Sequence, residues 1–302
     1  MHIIVTLAEF DHIKGALVLY NSLKMNGFEG TFVIGYRNIA SLSEEIRNFV
    51  RESDDLVLEK INPSRHLTNY KPNFMKLVAN NINEATTITY LDPDIIVNCP
   101  VEFITSWCEN GPTVCGDVNY HMPSNHPSRL RWLEMTGCQA KRDLEIYFNG
   151  GFLSVNRLDL DFLDLWIDLI DKYGANDVTM NGKGDIGNWR TGGRWNSIFS
   201  PNQDTLNIAL MLFDKSIVTL GPDAMGFVEG GVRLLPHAIG RNKPWRRNFI
   251  SDAFKGKPVR LVDILFWRYA SYPCPAFKKS KCGYKKFELK TAKLISRIIR
   301  KT

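Results

Sequence analysis

The sequence predicts an α/β fold with a mixed, mainly parallel sheet flanked by helices. Runs rich in β-branched residues, such as HIIVTLA (2–8) and TFVIGYR (31–37), alternate with segments of helical period. A later apolar run, ITYLDPD (88–94), ends in two carboxylates. Alternation of this kind predicts a parallel sheet covered on both faces, in which ligands bind beyond the carboxyl ends of the strands.

The N-terminal half supplies these elements in regular order. The helix predicted over 11–27 has Ile13, Leu17, Leu19 and Leu23 at roughly helical spacing, with Asp11 as a candidate N-cap. The elements predicted after the strand at 31–37 are a helix over 41–50 opened by a Ser cap, a strand over 56–61, a helix over 71–82 and the strand that ends in YLDPD.

The second half is less regular. The predicted elements are a strand over 112–118, a helix over 126–137, a strand over 147–155 and an amphipathic helix over 158–174. The segment 176–201 is rich in Gly, Asn and Trp and lacks periodicity, which indicates a long functional loop. Trp189, Trp195 and Phe199 in this loop are candidate aromatic platforms for a ligand ring, with simple loop packing as the alternative.

Composition is that of a soluble globular protein. Of the 302 residues, 44% are hydrophobic and 23% charged, and no apolar stretch is long enough for a membrane span. The N-terminus lacks the features of a signal peptide, so we expect a cytoplasmic protein. Six scattered cysteines without zinc-ligand spacing indicate reduced, mostly structural thiols.

Positive charge is concentrated at the C-terminus. Residues 241–302 contain 18 Lys and Arg against three acidic residues, a charge of +15; since the chain carries +6, residues 1–240 carry −9. We predict two domains, a catalytic domain over 1–250 and a basic helical extension over 251–302.

The pair Asp92 and Asp94 is the first candidate site. Pro93 between them marks the strand end, and two carboxylates there suit a hard divalent cation such as Mg²⁺ or Mn²⁺. The alternative is a pair of turn residues that end a strand.

Three further segments contain polar or glycine residues suited to a ligand. FNGGFLSVN (148–156) has two glycines that permit close backbone approach, and NQDTLNIALM (202–211) opens a helix with amides and a carboxylate. HAIGRNKPW (237–245) joins a histidine to a Gly turn and Lys243. Taken singly, each is also compatible with a structural role, as a bulge, an N-cap or a structural histidine.

In this order, YLDPD, FNGGFLSVN, NQDTLN and HAIGRNKPW resemble family 8 of the nucleotide-sugar glycosyltransferases, which has the Rossmann-like GT-A fold. The resemblance runs from Ile3 to about Trp245 and includes VTLAEFDHIKGALVLYNSL (5–23). It implies a metal-dependent enzyme that moves a hexose from a UDP-sugar to a saccharide hydroxyl with retention of configuration.

The resemblance also implies roles for individual residues. The residues that match the metal site, which would hold Mn²⁺ or Mg²⁺, are Asp92, Asp94 and His237. Those that match positions around the nucleotide and diphosphate are Thr6, Leu7, Ala8, Gly240 and Lys243, with Lys76 as a basic residue near the donor. Those that match positions around the transferred sugar are Asp117, Asn149, Gly150, Gly151, Gln203 and Asp204.

The mechanism expected from this assignment is front-face attack by the acceptor hydroxyl, beside the departing diphosphate. Lys243 and the metal stabilise the leaving group, while Gln203 and Asp204 support the ring. A covalent intermediate on Asp204 is the alternative route.

Two other functional classes fit parts of the sequence. A sugar nucleotidyltransferase shares the α/β sheet and paired aspartates, but normally has a Gly-rich basic phosphate loop after the first strand, unlike VTLAEFDHIKG. A non-catalytic binding module would use the basic tail on nucleic acid, yet the rest of the chain is acidic and lacks a nucleic-acid motif.

The tail itself predicts a membrane partner. Residues 278–302 contain ten Lys and Arg and one acidic residue. The apolar residues expected on one side of a helix here are Leu289, Leu294, Ile295, Ile298 and Ile299. We therefore expect peripheral association with an anionic membrane, with a terminal helix packed on the catalytic domain as the alternative. Such a location suits a lipid-linked saccharide acceptor in lipopolysaccharide or other cell-surface polysaccharide synthesis.

Overall fold

A computed structural model describes residues 1–39, 41–173 and 201–299 of the chain. In these ranges the strands are β1 (His2–Glu9), β2 (Thr31–Arg37), β3 (Leu56–Lys60), β4 (Thr87–Leu91), β5 (Thr113–His121), β6 (Ile146–Asn156) and β7 (Val218–Leu220). They form one sheet in the order β3-β2-β1-β4-β6-β5-β7.

The sheet is mixed in direction. β2 pairs with β3 in parallel, and β5 pairs with β7 in parallel, whereas β5 and β6 are antiparallel. Parallel neighbours need crossover connections, which helices supply here. The predicted fold class, a mixed and mainly parallel α/β sheet flanked by helices, is confirmed.

The helices in the described ranges are α1 (His12–Met25), α2 (Glu44–Glu52), α3 (Lys71–Asn81), α4 (Val101–Trp107), α5 (Pro127–Thr136), α6 (Leu160–Tyr173), α7 (Pro201–Leu212), α8 (Phe249–Phe254), α9 (Leu261–Tyr269) and α10 (Lys279–Ile299). Local sequence sets several ends. Ser43 caps α2 by accepting from the backbone N–H of Ile46, and Gly137, with φ of +64°, ends α5.

Some local predictions were wrong. Asp11 precedes α1 but makes no capping hydrogen bond, because its carboxylate accepts from Trp245 and Arg246 instead. Asn202 and Gln203 lie within the first turn of α7, since the helix already begins at Pro201. The short elements α4, α8 and β7 were not predicted.

The described residues group into two compact units. The first comprises those among 1–3, 62–90 and 104–223, and the second those among 4–61, 91–103 and 224–302. In the first, α6 buries Phe162, Leu163 and Trp166, and the indole N–H of Trp166 donates to the Thr205 hydroxyl of α7 at 3.1 Å. In the second, the Asn21 side chain on α1 donates to the backbone carbonyls of Tyr269 and Cys274.

The C-terminal helices pack through buried charged groups of the second unit. Arg247 contacts Asp252 at 2.7 Å and Asp263 at 2.5 Å, and Glu288 on α10 accepts from Lys285 at 2.6 Å. Among the described helices, none is both long and apolar enough to cross a membrane. The domain boundary at residue 250 stays a prediction.

The apolar residues of α10 do not form the single face expected from the sequence. Leu289 is buried, as is Ala292, because this side of the helix packs on the protein. Leu294 and Ile298 point to solvent on another side, together with Tyr284 and Phe287.

Candidate functional site

Three potential metal ligands lie together just beyond the end of β4. The imidazole Nε2 of His237 is 3.2 Å from Asp94 Oδ1 and 3.8 Å from Asp92 Oδ2. One ligand atom from each residue lies within 4.8 Å of the others. All three belong to the second unit.

Backbone pairing brings His237 to the aspartates. Ile95 forms an isolated antiparallel bridge with His237, and the N–H of Ala238 donates to the carbonyl of Asp94 at 3.0 Å. The N–H of Ile96 donates to Pro236 at 3.0 Å. The segment after the strand thus holds the segment around the histidine in register, although 143 residues separate Asp94 from His237.

These residues fit a divalent cation. Two ligands bound at about 2.1 Å to one ion lie at most about 4.2 Å apart, and both His237 distances are within that limit. Nε2 of His237 is the ring atom that faces the carboxylates, while Nδ1 is buried and has no hydrogen-bond partner among the described residues. Two carboxylates and an imidazole are a ligand set that divalent metal ions accept.

Lys243 shares the Asp94 carboxylate with His237. Its ammonium donates to Asp94 Oδ2 and, at 2.9 Å, to the carbonyl of Ala238. Burial of Asp94 opposes its ionisation, but the charges and hydrogen bonds of His237 and Lys243 outweigh burial and hold its pKa well below the usual range. The carboxylate is therefore ionised and ready to bind a cation.

The loop that carries Lys243 is fixed at both ends. Gly240 has φ of +79°, a conformation that favours glycine. Beyond Lys243, the indole N–H of Trp245 donates to Asp11 at 2.9 Å, and the guanidinium of Arg246 also contacts that carboxylate. The hydrogen bond to Arg246 is the main reason that the pKa of Asp11 is lowered.

The first helix passes very close to this region. A Cβ at Gly15 would lie 2.2 Å from the carbonyl oxygen of Pro93 and 2.9 Å from the Trp245 ring. His12, one turn earlier, packs edge-on against the same ring. Only glycine fits at position 15, which the sequence analysis did not single out.

The predicted nucleotide-binding residues lie within β1, which continues to Glu9. Thr6, Leu7 and Ala8 are all buried, and the Thr6 hydroxyl has no hydrogen-bond partner among the described residues. Glu9, which the sequence analysis did not select, accepts from Arg37 and Asn38 at 3.0 Å each.

The predicted sugar-binding residues lie together in the first unit. Asn149 on β6 donates to Asp117 on β5 at 2.6 Å and accepts from the N–H of Gly151 at 2.8 Å. Asp117 also accepts from the N–H of Asn119 at 2.9 Å. Both side chains are about 95% buried, so this network is fixed before any ligand binds.

Gln203 is attached to the same strand. Its Oε1 accepts from the N–H of Gly150 at 3.0 Å. One turn later, Asn207 exchanges two 2.9 Å hydrogen bonds with the backbone of Phe148. These contacts hold the first turn of α7 against the FNGG segment.

Asp204 is fully buried beside Gln203. It accepts from the hydroxyl of Tyr147 at 2.5 Å. Burial, together with the neighbouring charges of Asp204 and Asp117, raises the pKa of Tyr147 well above its usual value, so the tyrosine keeps the proton that it donates to Asp204. Tyr147 was missed by sequence reasoning because nothing in YFNGG distinguishes it from a core aromatic.

Lys76 belongs neither to the metal-ligand group of Asp92, Asp94 and His237 nor to the network around Asn149. It is partly exposed on α3 and forms an ion pair with Asp164 of α6. Lys71, at the start of the same helix, is 3% exposed, and its ammonium donates to the carbonyl of Gly150 at 2.7 Å. The aromatic residues Trp189, Trp195 and Phe199 lie outside the described residues.

Comparison with known proteins supports the fold. No protein-family model matches the sequence, and no curated protein resembles it significantly. Among solved structures, the apo bifunctional glycosyltransferase WbbM is similar with a TM-score of 0.57 and 11% identity, over 95% of this chain and 52% of that one. The chain thus spans about half of the WbbM structure.

Two other structures are similar over nearly the whole chain. Galactosyltransferase LgtC, solved with donor and acceptor sugar analogues, has a TM-score of 0.54 and 14% identity, over 94% of this chain and 99% of that one. Glycosyltransferase GlyE of Streptococcus pneumoniae TIGR4 has a TM-score of 0.53 and 15% identity, over 96% of this chain and 64% of that one. At such identities the likeness shows that the chain has the GT-A fold of these glycosyltransferases.

Proposed function

We propose that the protein is a metal-dependent, retaining glycosyltransferase that moves a hexose from a UDP-sugar to a saccharide hydroxyl. The observation that carries this proposal is the group Asp92, Asp94 and His237, with Lys243 beside it, on a glycosyltransferase fold. Membership of family 8 is part of the proposal and rests on the ordered motifs.

The residues around Asp94 would hold the nucleotide diphosphate. A bound Mn²⁺ or Mg²⁺ would supply Lewis-acid stabilisation of the charge on the departing diphosphate. Asp92, Asp94 and His237 would hold the cation, and Lys243 would add a fixed positive charge. Thr6, Leu7 and Ala8 would contact the nucleoside, and Gly240 would let the backbone approach the phosphates.

The residues around Asn149 would bind the sugar. The network of Asp117, Asn149 and Gly151 offers fixed polar groups for hydroxyls. Gln203 would support the ring as positive charge develops there. The complete burial of Asp204 supports front-face attack by the acceptor, since a nucleophilic carboxylate must reach the anomeric carbon.

The C-terminal helix supports the proposed membrane partner. Four side chains of α10 that are 59 to 69% exposed form an apolar stripe: Tyr284, Phe287, Leu294 and Ile298. Their spacing places them on one side of the helix, and a row of cations lies beside them: Lys286, Lys290, Lys293 and Arg297. An exposed apolar stripe flanked by cations matches an anionic leaflet, because each nearby Lys or Arg contributes about 1 kcal/mol.

This partner fits the rest of the proposal. The protein would act at the cytoplasmic face of a membrane on a lipid-linked saccharide, in lipopolysaccharide or other cell-surface polysaccharide synthesis. Nucleic acid is not the expected partner, because an exposed apolar stripe serves no purpose on a phosphate backbone.

The deciding experiment measures UDP release from several UDP-sugars, with and without Mn²⁺. We expect metal-dependent hydrolysis with at least one donor and its loss in Asp92→Asn, while Asp164→Asn serves as the control because that aspartate forms only a partly exposed ion pair. Absence of metal-dependent turnover with every donor, in the presence of saccharide acceptors, refutes the proposal.

A further inference from the structure

Two lysines on α3 are candidates for a basic residue at the sugar site. Lys76 is the one that the motif resemblance selects, but its ammonium is paired with Asp164 and both side chains are more than a third exposed. An ion pair that is this exposed contributes little to the stability of the protein. Lys71 lies one and a half turns earlier and is 3% exposed.

Lys71 contacts the FNGG segment directly. Its ammonium donates to the carbonyl of Gly150 at 2.7 Å and lies 4.8 Å from the centre of the Tyr90 ring. Burial of an ammonium is costly, and an apolar side chain of similar volume would fill this place with no such cost. The position of the charge at Gly150 therefore calls for a role beyond packing.

Gly150 is held on several sides at once. Its N–H donates to Gln203 Oε1 at 3.0 Å, and a Cβ at this position would lie 2.6 Å from Asn202 Oδ1. Asn202 in turn donates to the carbonyl of Thr68, three residues before Lys71, at 2.6 Å. The start of α3 and the start of α7 thus meet at one glycine.

We propose that Lys71 is a positioning residue for Gln203, a role that rests on the proposed function of Gln203 at the sugar ring. Lys71 fixes the Gly150 carbonyl, which fixes the strand at that residue, and the N–H of Gly150 then orients the Gln203 amide. The Gly150 N–H holds Oε1 of Gln203 at 3.0 Å and so fixes the position of the amide at the start of α7. Lys76 takes no part.

The test compares Lys71→Met and Lys71→Arg with Lys76→Ala, at the residue that the resemblance selects, and with the control Lys215→Ala, whose ammonium pairs with Asp161 at 2.8 Å, all in the full chain. Methionine keeps the unbranched stem but removes the charge and the donor, whereas arginine keeps both. We expect Lys71→Met to lower kcat at least about tenfold with a smaller change in KM, since a misplaced catalytic group loses rate more than affinity. Lys71→Arg should recover part of the loss, and Lys215→Ala should stay within about twofold of the wild type.

A double-mutant cycle separates positioning from general structural damage. If Lys71 acts through Gln203, Lys71→Met should cause no further loss of kcat in a Gln203→Ala background. Additive losses, or a kcat of Lys71→Met near that of the wild type, overturn the proposal. A greater loss in Lys76→Ala than in Lys71→Met also overturns it.

Hydrogen exchange gives a readout that needs no turnover. The Gly150 amide should exchange faster in Lys71→Met than in the wild type, while amides of β2 in the other unit should be unchanged. Equal Gly150 exchange overturns the positioning role even where UDP-sugar turnover is present. A wild type without turnover refutes the proposed function instead, whichever way Gly150 exchanges.

Discussion

Asp92→Asn and Asp94→Asn should both abolish metal-dependent turnover, but only Asp94→Asn should lower the stability of the metal-free protein. The two aspartates differ in burial and partners. The Asp94 side chain is 5% exposed and paired with Lys243, which is itself 12% exposed, whereas Asp92 is 21% exposed. Neutralising Asp94 leaves a largely buried ammonium without its carboxylate.

The size of the effect follows from this burial. Removing one partner of a buried ion pair costs about 3 kcal/mol or more. With an unfolding entropy of about 2.1 cal/mol/K per residue, 302 residues give roughly 0.6 kcal/mol/K, so Tm should fall by about 5 °C in Asp94→Asn. Asp92→Asn should change Tm by about 1 °C or less, since substitutions away from buried pairs have small effects.

Thermal melts in EDTA and then in Mn²⁺ provide the assay. At a Mn²⁺ concentration of about 100 Kd the wild type should gain about 2.7 kcal/mol, or roughly 4 °C, and both variants should lose this gain. Adding Lys243→Met to Asp94→Asn should restore part of the metal-free stability, because the unpaired cation is removed. Equal Tm values for the two variants in EDTA, or a Mn²⁺ gain retained in either, would refute this account of the site.

Three further predictions concern the diphosphate, the sugar and the membrane. Lys243→Ala should weaken UDP and the intact donor alike, by at least about tenfold in calorimetry, as one charge-assisted hydrogen bond is lost; unchanged UDP affinity would exclude Lys243 from the site. Gln203→Ala should lower kcat more than donor affinity, and a pure loss of affinity in steady-state kinetics would make it a binding residue only. The double variant Phe287→Ser/Leu294→Ser should no longer co-sediment with anionic vesicles, whereas the control Phe254→Ser, at an exposed residue of α8, should still do so. Equal pelleting of the double variant and the control would contradict the proposed membrane contact of α10.

Much of the fold was predictable because its elements have strong periodicity. β1 and β4 are almost wholly buried and appear in the sequence as continuous apolar runs, while α6 alternates buried and polar positions at helical spacing. The three-residue strand β7 and the short helices α4 and α8 carry too few residues for a periodic pattern. Tertiary contacts decide their structure.

The residues of the candidate site likewise divide into those that the sequence identifies and those that it does not. Asp92 and Asp94 were identifiable because carboxylates are unusual at the end of an apolar run. Lys71 and Tyr147 were not, because a lysine after a turn and a tyrosine in a strand are ordinary in sequence. Their roles depend on Gly150 and Asp204, which lie 79 and 57 residues away along the chain.

Gly15 has a consequence for recognising distant relatives of this chain. Glycine inside a helix costs about 1 kcal/mol relative to alanine, so α1 would be more stable without it. The close approach of α1 to the Pro93 carbonyl, which a Cβ at position 15 would meet at 2.2 Å, compensates for that loss. It does so only while the helix and the turn at Pro93 keep their spacing. A chain that shares this arrangement must therefore keep a glycine in the first helix together with its acidic pair near position 92. That pairing of two distant positions can identify such chains where the overall identity is too low for alignment.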